Sequence, residues 1–253
     1  MLGLKEKITS VAESLGIFDI GFADVTLWDS DPLVSSRISS EFRPKSILSN
    51  SESVIVIGIP IPSSILDTAP SIAYAQTYKN INSMLDMATQ RIAMELMNLG
   101  FDAMPLPRDG YHGISGLRES STAFFSHRHA AYLAGLGSFG NNNVLLTEKY
   151  GPRIRFSSII TNAKLSGKGP IGKDLCMYCG KCVRECPAKA LKVGKYPDMI
   201  TNKELCIDRS EMLAKQGISP CGICVSVCPV GRKQYGGKPT DESIKVIRSY
   251  VKR

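Results

Sequence analysis

All eight cysteines of the chain fall within one stretch of its last third: Cys176, Cys179, Cys182, Cys186, Cys206, Cys221, Cys224 and Cys228. The first four have the spacing C-x2-C-x2-C-x3-C-P, which bacterial ferredoxins use to hold 4Fe–4S clusters. The last three repeat part of it as C-x2-C-x3-C-P, and Cys206 stands alone between the two motifs. Thiolates in this pattern predict a module that transfers electrons.

The cysteines divide into two sets of four. In two-cluster ferredoxins the fourth cysteine of the motif ligates the other cluster. The spacing therefore predicts one cluster on Cys176, Cys179, Cys182 and Cys228. It predicts a second cluster on Cys186, Cys206, Cys221 and Cys224. Zinc ribbons also use C-x2-C pairs, but three cysteines at two-residue spacing followed by x3-C-P are not typical of zinc sites.

Two adjacent clusters form a short electron-transfer relay, and we expect the rest of the chain to hold the acceptor of the electrons. The alternative is a free-standing electron carrier whose remaining residues form only a docking platform. The chain has 253 residues, of which 43% are hydrophobic, enough for a substantial core and a smaller module. We place the boundary in a Gly- and Lys-rich connector, which predicts a core over residues 1–165 and a cluster module over 166–253.

The core alternates helix-like and strand-like patterns, which predicts an α+β fold. Ser53 to Ile61 is a β-branched run typical of a buried strand. A helix is predicted from Ala73 to Leu99, capped by Gly100, with its methionines in the core: Met84, Met87, Met94 and Met97. Further predictions are helices over 4–15 and 127–136, strands over 18–23, 101–106, 144–147 and 154–161, and irregular structure over 26–52.

Composition narrows the compartment and the partners. No apolar run approaches the length of a membrane span, and the first residues lack the apolar segment of a signal peptide. We therefore expect a cytoplasmic protein without membrane contact, where cysteines serve metals more often than disulfides. The formal charge of +8 fits an acidic electron donor, an anionic cofactor or RNA, although many soluble proteins carry a similar charge.

Two glycine-rich motifs match nucleotide-binding loops in sequence but not in their predicted structural context. Gly135, Gly137 and Gly140 spell G-x-G-x-x-G, but a helix precedes them and a strand follows, the reverse of a dinucleotide-binding fingerprint. Residues 167–174 resemble a phosphate-binding loop, with Asp174 where the Mg²⁺-binding Ser or Thr should be. Neither NAD nor ATP is expected.

Residues 129–155 resemble the cobalamin-dependent iron–sulfur reductases, a superfamily that includes the epoxyqueuosine reductases of tRNA modification and the reductive dehalogenases. The segment Ala134-Gly-Leu-Gly137 is similar to the A-G-L-G segment of both groups, and Tyr150-Gly-Pro-Arg-Ile-Arg155 is similar to a dehalogenase stretch. The displaced Cys206, the closing C-x2-C-x3-C-P and the segment from Arg43 to Pro60 look like epoxyqueuosine reductase.

The resemblance implies a core similar to nitroreductases, an α/β/α arrangement around a mixed, largely antiparallel sheet. A ferredoxin-like double-cluster module with a short C-terminal helix would follow it. The implied cofactor is a cobalamin held base-off, and glycine backbone can approach such a large flat ligand closely. The residues implied to bind it are Ala134, Gly135, Leu136, Gly137, Gly140, Asn142 and Arg153.

The resemblance also implies a reaction. An external low-potential donor, a ferredoxin or flavodoxin, would reduce one cluster, and the second would reduce the cobalt to Co(I) for a two-electron reductive elimination on a small-molecule or tRNA-borne substrate. The hard chemistry belongs to the cofactor, and the protein supplies positioning and a proton donor. Two alternatives remain: a corrinoid-reducing or activating protein without its own organic substrate, and a nitroreductase-like enzyme that uses FMN and carries a ferredoxin tail.

The chain departs from epoxyqueuosine reductase in the proton donor. The acidic residue of that group is replaced by Ser121, whose hydroxyl does not donate a proton at neutral pH as a tuned carboxylic acid does. We also expect no helical-repeat extension of the kind thought to grip tRNA. The catalytic candidates are Tyr111, a proton donor in a Gly-rich loop, together with Ser121, His127 and Arg128. His127 and His129 flank Arg128 at a helix start and could bind phosphate or orient a tyrosine.

Overall fold

The computed structural model describes residues 3–109, 113–119, 123–165, 167–198, 201–232 and 239–250. The first half contains α1 (Leu4–Ser14), β1 (Asp19–Asp24), α2 (Leu27–Ser30), α3 (Pro32–Ser35), a 3-10 turn (Ser40–Phe42), α4 (Pro44–Ile47), β2 (Ser53–Pro60), α5 (Ser63–Leu66), α6 (Ile72–Asn98) and β3 (Ala103–Leu106). The second half contains α7 (Gly113–Glu119), α8 (His127–Leu133), β4 (Ser138–Phe139), β5 (Leu145–Leu146), β6 (Ile154–Thr161), α9 (Lys181–Arg184), α10 (Lys203–Ala214), α11 (Ile223–Ser226) and α12 (Asp241–Ser249).

Four strands form the central sheet in the order β1-β2-β6-β3, and every neighbouring pair is antiparallel. The β-branched runs of β2 and β6 place them in the middle, where both faces are covered. The predicted α+β class and antiparallel sheet are confirmed. The prediction of irregular structure over 26–52 was wrong in part, since this segment folds into three short helices and a 3-10 turn. Asp31 caps the helix α3 by accepting hydrogen bonds from the N–H groups of Leu33 and Val34.

The sheet lies between two apolar layers. Alternate residues of β2 face opposite ways: Ile55 and Ile57 pack with α1 and α6, and Val54 and Val56 pack with α8 and the β4–β5 hairpin. All four side chains are fully buried. Burying such a side chain contributes about 1.5–3 kcal/mol, so β2 anchors both layers.

The long helix α6 covers one face of the sheet. The Ser71 side chain caps its first turn by accepting from the Tyr74 N–H at 3.1 Å, and Gly100 follows its end with φ +86°. Leu85 and Ile92 face the core. The four methionines predicted to lie in the core do not: Met84, Met87, Met94 and Met97 are 52%, 73%, 46% and 60% exposed. The helix carries apolar residues on both faces, so apolar spacing alone pointed to the wrong one.

The cysteine-bearing segment packs directly on the core. The Leu175 N–H donates to the Ser138 hydroxyl at 2.8 Å, and the Arg232 guanidinium binds the Asp67 carboxylate at 2.9 Å. Gly222 lies so close to Tyr74 that a Cβ there would meet the ring at 2.6 Å. The two predicted segments therefore pack directly against each other, and the division at residue 165 stays a prediction. Within the described part of the chain, no helix has the length and apolar character needed to cross a membrane.

Candidate redox site

The first cysteine set comes together although Cys228 lies far from the other three members in sequence. Burial, followed by the nearby Cys228, Cys176 and Cys179 thiols, raises the pKa of Cys182 to about 11. The same four cysteines line one cavity, together with Asn141 and Asn142 of the β4–β5 hairpin. Each member of this set therefore reaches the same small space.

The second set is equally distinct. Burial, followed by Cys221, Cys206, Cys182 and Cys186, raises the pKa of Cys224. Burial, followed by Cys221 and Cys186, raises that of Cys206. The displaced Cys206 thus lies beside the cysteines predicted to share its cluster. Because Cys182 of the first set also contributes to the raised pKa of Cys224, the two sets are neighbours.

The donor chemistry of both sets fits 4Fe–4S clusters. All eight cysteines are free thiols, and among the described residues no three His, Cys, Asp or Glu side chains converge as closely as a single metal ion requires. A cube of four irons holds its thiolates further apart than one ion does. The Asn141 and Ala190 N–H groups donate to the sulfurs of Cys176 and Cys186, both at 3.4 Å, an interaction that tunes cluster potentials.

Arg153 joins the core to the second cysteine motif. It is 2% exposed, and its guanidinium donates to the carbonyls of Val230 at 2.7 Å, Ser226 at 3.2 Å and Cys228. Close packing reinforces this contact, since a Cβ on Gly151 would meet the Val230 carbonyl oxygen at 2.0 Å. Arg153 was predicted to bind the corrinoid; in this structure its donors are directed at backbone around Cys228.

The glycines predicted to approach a flat ligand approach their own chain. A Cβ on Gly137 would meet the Leu146 carbonyl oxygen at 2.0 Å, and one on Gly135 would meet that of Gly169 at 2.5 Å. Gly140 is similarly close to Asn142 and Leu146. A tight hairpin needs these glycines because no side chain fits.

The other predicted corrinoid-binding residues also contact protein. Ala134 and Leu136 pack over Gly21 of β1, where an added Cβ would meet each of them at 2.9 Å. The Asn142 side chain donates to the Cys224 carbonyl at 3.2 Å. The segment from Ala134 to Asn142 therefore forms a platform under the cysteine module, and its role toward a corrinoid stays a prediction.

The predicted catalytic residues divide into described and undescribed ones. Tyr111 and Ser121 lie outside the described residues. His127 bonds the Pro107 carbonyl through Nε2 at 3.0 Å and the Ser158 hydroxyl through Nδ1 at 2.9 Å. Since a carbonyl only accepts, the proton sits on Nε2. Burial lowers the pKa of His127 to about 4, so the ring is neutral at pH 7. Arg128 donates to the carbonyl and side chain of Asn143.

A polar stripe crosses the inner face of α6: Tyr74, Tyr78, Asn82 and Asp86. Residues four apart share a helix face, so these four point the same way. Arg155 of β6 lies over the Tyr78 ring at 3.9 Å and donates to the Asn82 side chain at 2.6 Å. Asp86 binds Arg108, just past β3. This stripe was missed from the sequence, although its i, i+4, i+8, i+12 spacing was visible there.

The stripe begins at the second cysteine set. Tyr74 lies against Gly222, which stands between Cys221 and Cys224 in the sequence. Burial raises the pKa of Tyr74, and both cysteines add to that rise. The Tyr74 and Tyr78 rings meet edge to face with centroids 6.2 Å apart. A continuous row of side chains therefore leads from the second cysteine set to Arg155.

The stripe opens at one end of the sheet. β3 pairs only with residues 158–161 of β6, so the Arg155 end of β6 has no strand beside it there. Asp109 lies 3.5 Å from Arg155 at this edge. Burial raises the pKa of Tyr78, yet Tyr78 and Arg155 keep some exposed surface. Side chains that are mostly buried but keep some exposed surface can be reached from solvent at this edge of the sheet, and we call this edge the cleft.

A second opening adjoins the same end of the sheet. A cavity of about 220 Å³ lies between the end of β2 and the turn before β6, lined by Pro60, Ile61, Pro62, Ser63, Ser64, Tyr150, Arg153 and Gly231. Pro60 pairs with Ile154 and Ile59 pairs with Arg155, so the cavity and the cleft are adjacent. Alone the cavity is smaller than the roughly 300–1,000 Å³ of common ligand pockets.

Comparison with known proteins identifies the module and two groups of relatives. Residues 170–192 match the family model of the 4Fe-4S binding domain. A tetrachloroethene reductive dehalogenase of Desulfitobacterium hafniense is 30% identical over 204 residues, which are 74% of this chain and 33% of the relative. An epoxyqueuosine reductase of Bacillus subtilis is 25% identical over 256 residues, which are 90% of this chain and 64% of the relative. The chain thus spans about a third of these dehalogenases.

Solved structures share the fold. An epoxyqueuosine reductase from Streptococcus thermophilus superposes with a TM-score of 0.61 at 20% identity, covering 95% of this chain and 69% of its own. A catabolic reductive dehalogenase in complex with 3-bromo-4-hydroxybenzoic acid superposes with a TM-score of 0.65 at 21% identity, covering 98% and 34%. These likenesses establish the shared architecture.

Proposed function

We propose that this chain, a homologue of the epoxyqueuosine reductases and the reductive dehalogenases, is a corrinoid-dependent iron–sulfur oxidoreductase. Cys176, Cys179, Cys182 and Cys228 hold one 4Fe–4S cluster, and Cys186, Cys206, Cys221 and Cys224 hold the other. Electrons from an external low-potential donor pass through both clusters into the cleft at the end of the sheet. The observation that carries the proposal is the contact of the second cysteine set with Tyr74, the first member of the polar stripe.

The cleft supplies the polar groups that a large amide-rich cofactor needs. Arg155, Asn82 and Tyr78 line its inner wall, and the apolar cavity beside Tyr150 extends it. When bound, a corrinoid supplies a cobalt centre for two-electron reduction of an organic substrate. One of the related solved structures is a reductive dehalogenase whose dehalogenation is B12-dependent, which supports this choice of cofactor over FMN. The base-off state remains part of the proposal.

Tyr78 is the proton donor in this proposal. Burial raises the pKa of Tyr78, and the nearby Arg155 opposes that rise, so the phenol keeps its proton at neutral pH. Arg155 against the ring stabilises the phenolate that remains once the proton has left. The other candidates suit this role less, because His127 is neutral with its one proton bonded to the Pro107 carbonyl, and Arg128 is bound to Asn143.

The proposed substrate is an organic molecule with a bond that reduction can cleave. A carbon–halogen bond takes two electrons and one proton and gives a carbon–hydrogen bond and a halide ion. Removal of an epoxide oxygen takes two electrons and two protons and gives an alkene and water. The first stoichiometry matches the single phenol of Tyr78. A related epoxyqueuosine reductase has been solved with an epoxyqueuosine-modified tRNA stem loop, so the modified tRNA is the second substrate to test.

A Tyr78→Phe variant tests the proton donor. We expect kcat to fall by about 10²–10⁴-fold, the usual contribution of general acid catalysis, with iron content and corrin binding unchanged. Turnover is measured anaerobically with chlorinated or brominated aromatics and alkenes and with epoxyqueuosine-tRNA. Tyr132→Phe, on the far side of the sheet, is the control and keeps full activity.

Two outcomes would count against the proposal. Full activity of Tyr78→Phe would remove Tyr78 from the reaction. Corrin reduction by the wild-type protein without turnover of either substrate class would favour a corrinoid-reducing protein that activates a partner.

A further inference from the structure

The first cysteine set lies beneath a strongly basic surface. The segment 167–198 carries seven lysines and arginines against three acidic residues, a net charge of +4. The segment 201–232, which holds most of the second set, carries four against three, a net charge of +1. Of these two segments, the first therefore carries most of the positive charge. All seven basic residues are exposed, and we call five of them the basic collar: Lys173, Lys181, Arg184, Lys192 and Lys195.

The collar is bound to the cysteine loop itself. Arg184 donates to the Cys179 carbonyl at 3.0 Å, and Lys181 lines the cavity that the first set shares. The Lys192 carbonyl accepts from the Asn141 side chain, and the Asn141 N–H in turn donates to the Cys176 sulfur. These basic residues are thus held around the first set, and Cys179 itself is exposed.

An apolar patch lies within the collar. Met177 is 62% exposed, Tyr178 38% and Val193 71%. Exposed Met and aromatic side chains ringed by charge are typical of surfaces that bind a partner. A small apolar centre with a polar rim suits the brief encounters of electron-transfer proteins, which bury less area than stable complexes.

We propose that the basic collar docks a small acidic electron-carrier protein, which passes one electron at a time to the first cluster. This inference rests on the proposed function and names its donor. The carrier is oxidised by one electron and the first cluster is reduced by one, so two encounters supply each two-electron reduction. The cluster exposed at Cys179 is the entry, and the set against Tyr74 is the exit.

A nucleic acid is the competing partner for a basic surface. The phosphates of RNA bind Lys and Arg without regard to what lies beneath. Here the lysines surround an exposed cluster ligand, and two acids, Asp174 and Glu148, lie among them and bind Lys195 and Lys173. Mixed charges around a redox centre favour an acidic protein over a polyphosphate chain.

The test measures cluster reduction and needs neither corrinoid nor substrate. Anaerobic protein with both clusters oxidised is mixed in a stopped-flow instrument with the hydroquinone of an acidic bacterial flavodoxin, and semiquinone formation is followed. For the Lys181→Glu/Lys192→Glu variant we expect the second-order rate constant to fall by at least about tenfold at low salt, with a weaker salt dependence. Lys79→Glu/Lys215→Glu makes the same charge change elsewhere and keeps the wild-type rate. Dithionite, which needs no docking site, reduces the clusters of all three proteins equally.

Three results would overturn the docking site. They are an unchanged rate in the collar variant, an equal loss in the control variant, or tRNA binding that the collar variant loses while its flavodoxin rate is retained. Because each result concerns the clusters alone, it leaves the proposed corrinoid chemistry in the cleft to stand or fall separately.

Discussion

Arg153 and Arg155 stand two residues apart yet belong to two different regions of the molecule. Arg153 is 2% exposed and donates to backbone carbonyls around Cys228. Arg155 is 19% exposed at its side chain and lies over the Tyr78 ring in an open cleft. His129 and His127 repeat the contrast on α8. His129 bonds Tyr196 of the module at 2.8 Å, whereas the pKa of His127 responds, after burial and the Pro107 carbonyl, to the charges of Arg155 and Asp109.

Burial and hydrogen bonding distinguish an arginine that holds two segments together from a similar arginine at a reactive site. At the junction the charged side chain is buried with most of its donors bonded to backbone, which fixes one geometry. At the cleft the Arg155 guanidinium is only partly buried, and it acts on the Tyr78 phenol, whose pKa burial raises. A perturbed pKa beside a charged partner is typical of functional sites. We therefore expect junction variants to lose structure and cleft variants to lose turnover.

The largest effect is expected at the junction. Arg153→Gln removes the guanidinium donor of the Cys228 and Val230 carbonyls, whereas Arg232 still donates to that of Ser226 at 3.2 Å. An unpaired buried polar group costs about 1–3 kcal/mol. We expect the midpoint of thermal unfolding to fall by several degrees and the iron content to drop toward four per chain as the first cluster is lost. Iron analysis and anaerobic thermal unfolding measure this.

Arg155→Gln makes the same substitution on the other side of the comparison. It should keep about eight irons per chain, four for each cluster, and wild-type unfolding. Equal destabilisation by both variants would erase the distinction between the junction and the cleft.

At the cleft the expected loss is catalytic. Removing the positive charge of Arg155 raises the pKa of Tyr78 further, because Arg155 lowers it. We expect kcat to fall about a hundredfold with KM little changed, and the alkaline limb of the pH profile to move to higher pH. Arg155→Lys keeps the charge and should recover part of the rate. Arg91→Gln, on the outward face of α6, is the control; a pH profile identical to wild type in Arg155→Gln would contradict this role.

Parts of this division were predictable from the sequence. The β-branched runs over 53–60 and 154–161 predicted the two central strands, and the motif spacing divided the cysteines into two sets whose ligation stays a prediction. Local patterns carry this information because strands, helices and cluster loops are set by neighbouring residues.

The rest depended on contacts between distant residues. Arg153 binds carbonyls more than seventy positions away, and nothing near it in the chain indicates that partner. The exposed methionines of α6 failed for a related reason, since periodicity shows that a helix has apolar faces but not which one is covered. The stripe from Tyr74 to Asp86 was visible as spacing, yet only Arg155, packed against it from β6, gives that spacing a chemical meaning.

The smallest expected effect concerns His129, again at the junction. Burial, with smaller contributions from Arg128 and Arg37, lowers the pKa of His129 to about 3, whereas an unfolded histidine titrates near 6.5. The unfolded chain therefore binds the extra proton first, so stability is full above pH 6.5 and is lost as the pH falls toward 3.

Between pH 7.5 and 5.5 the wild type should lose about 1 kcal/mol more unfolding free energy than His129→Gln. Guanidinium unfolding of both proteins measures the difference, and acid effects on the clusters are common to both. Parallel pH dependences would show that the ring is not held neutral.

The most direct test of the account is electron transfer from the clusters to a corrinoid. Anaerobic protein with both clusters reduced is titrated with cob(II)alamin and followed by electron paramagnetic resonance. We expect the protein to take up about one corrinoid per chain and to give a cobalt signal without the nitrogen splitting of the lower base. That signal should disappear as the clusters are oxidised, and Cys224→Ser should block this last step. A protein that takes up no corrinoid, or whose clusters stay reduced beside a bound one, would contradict the account.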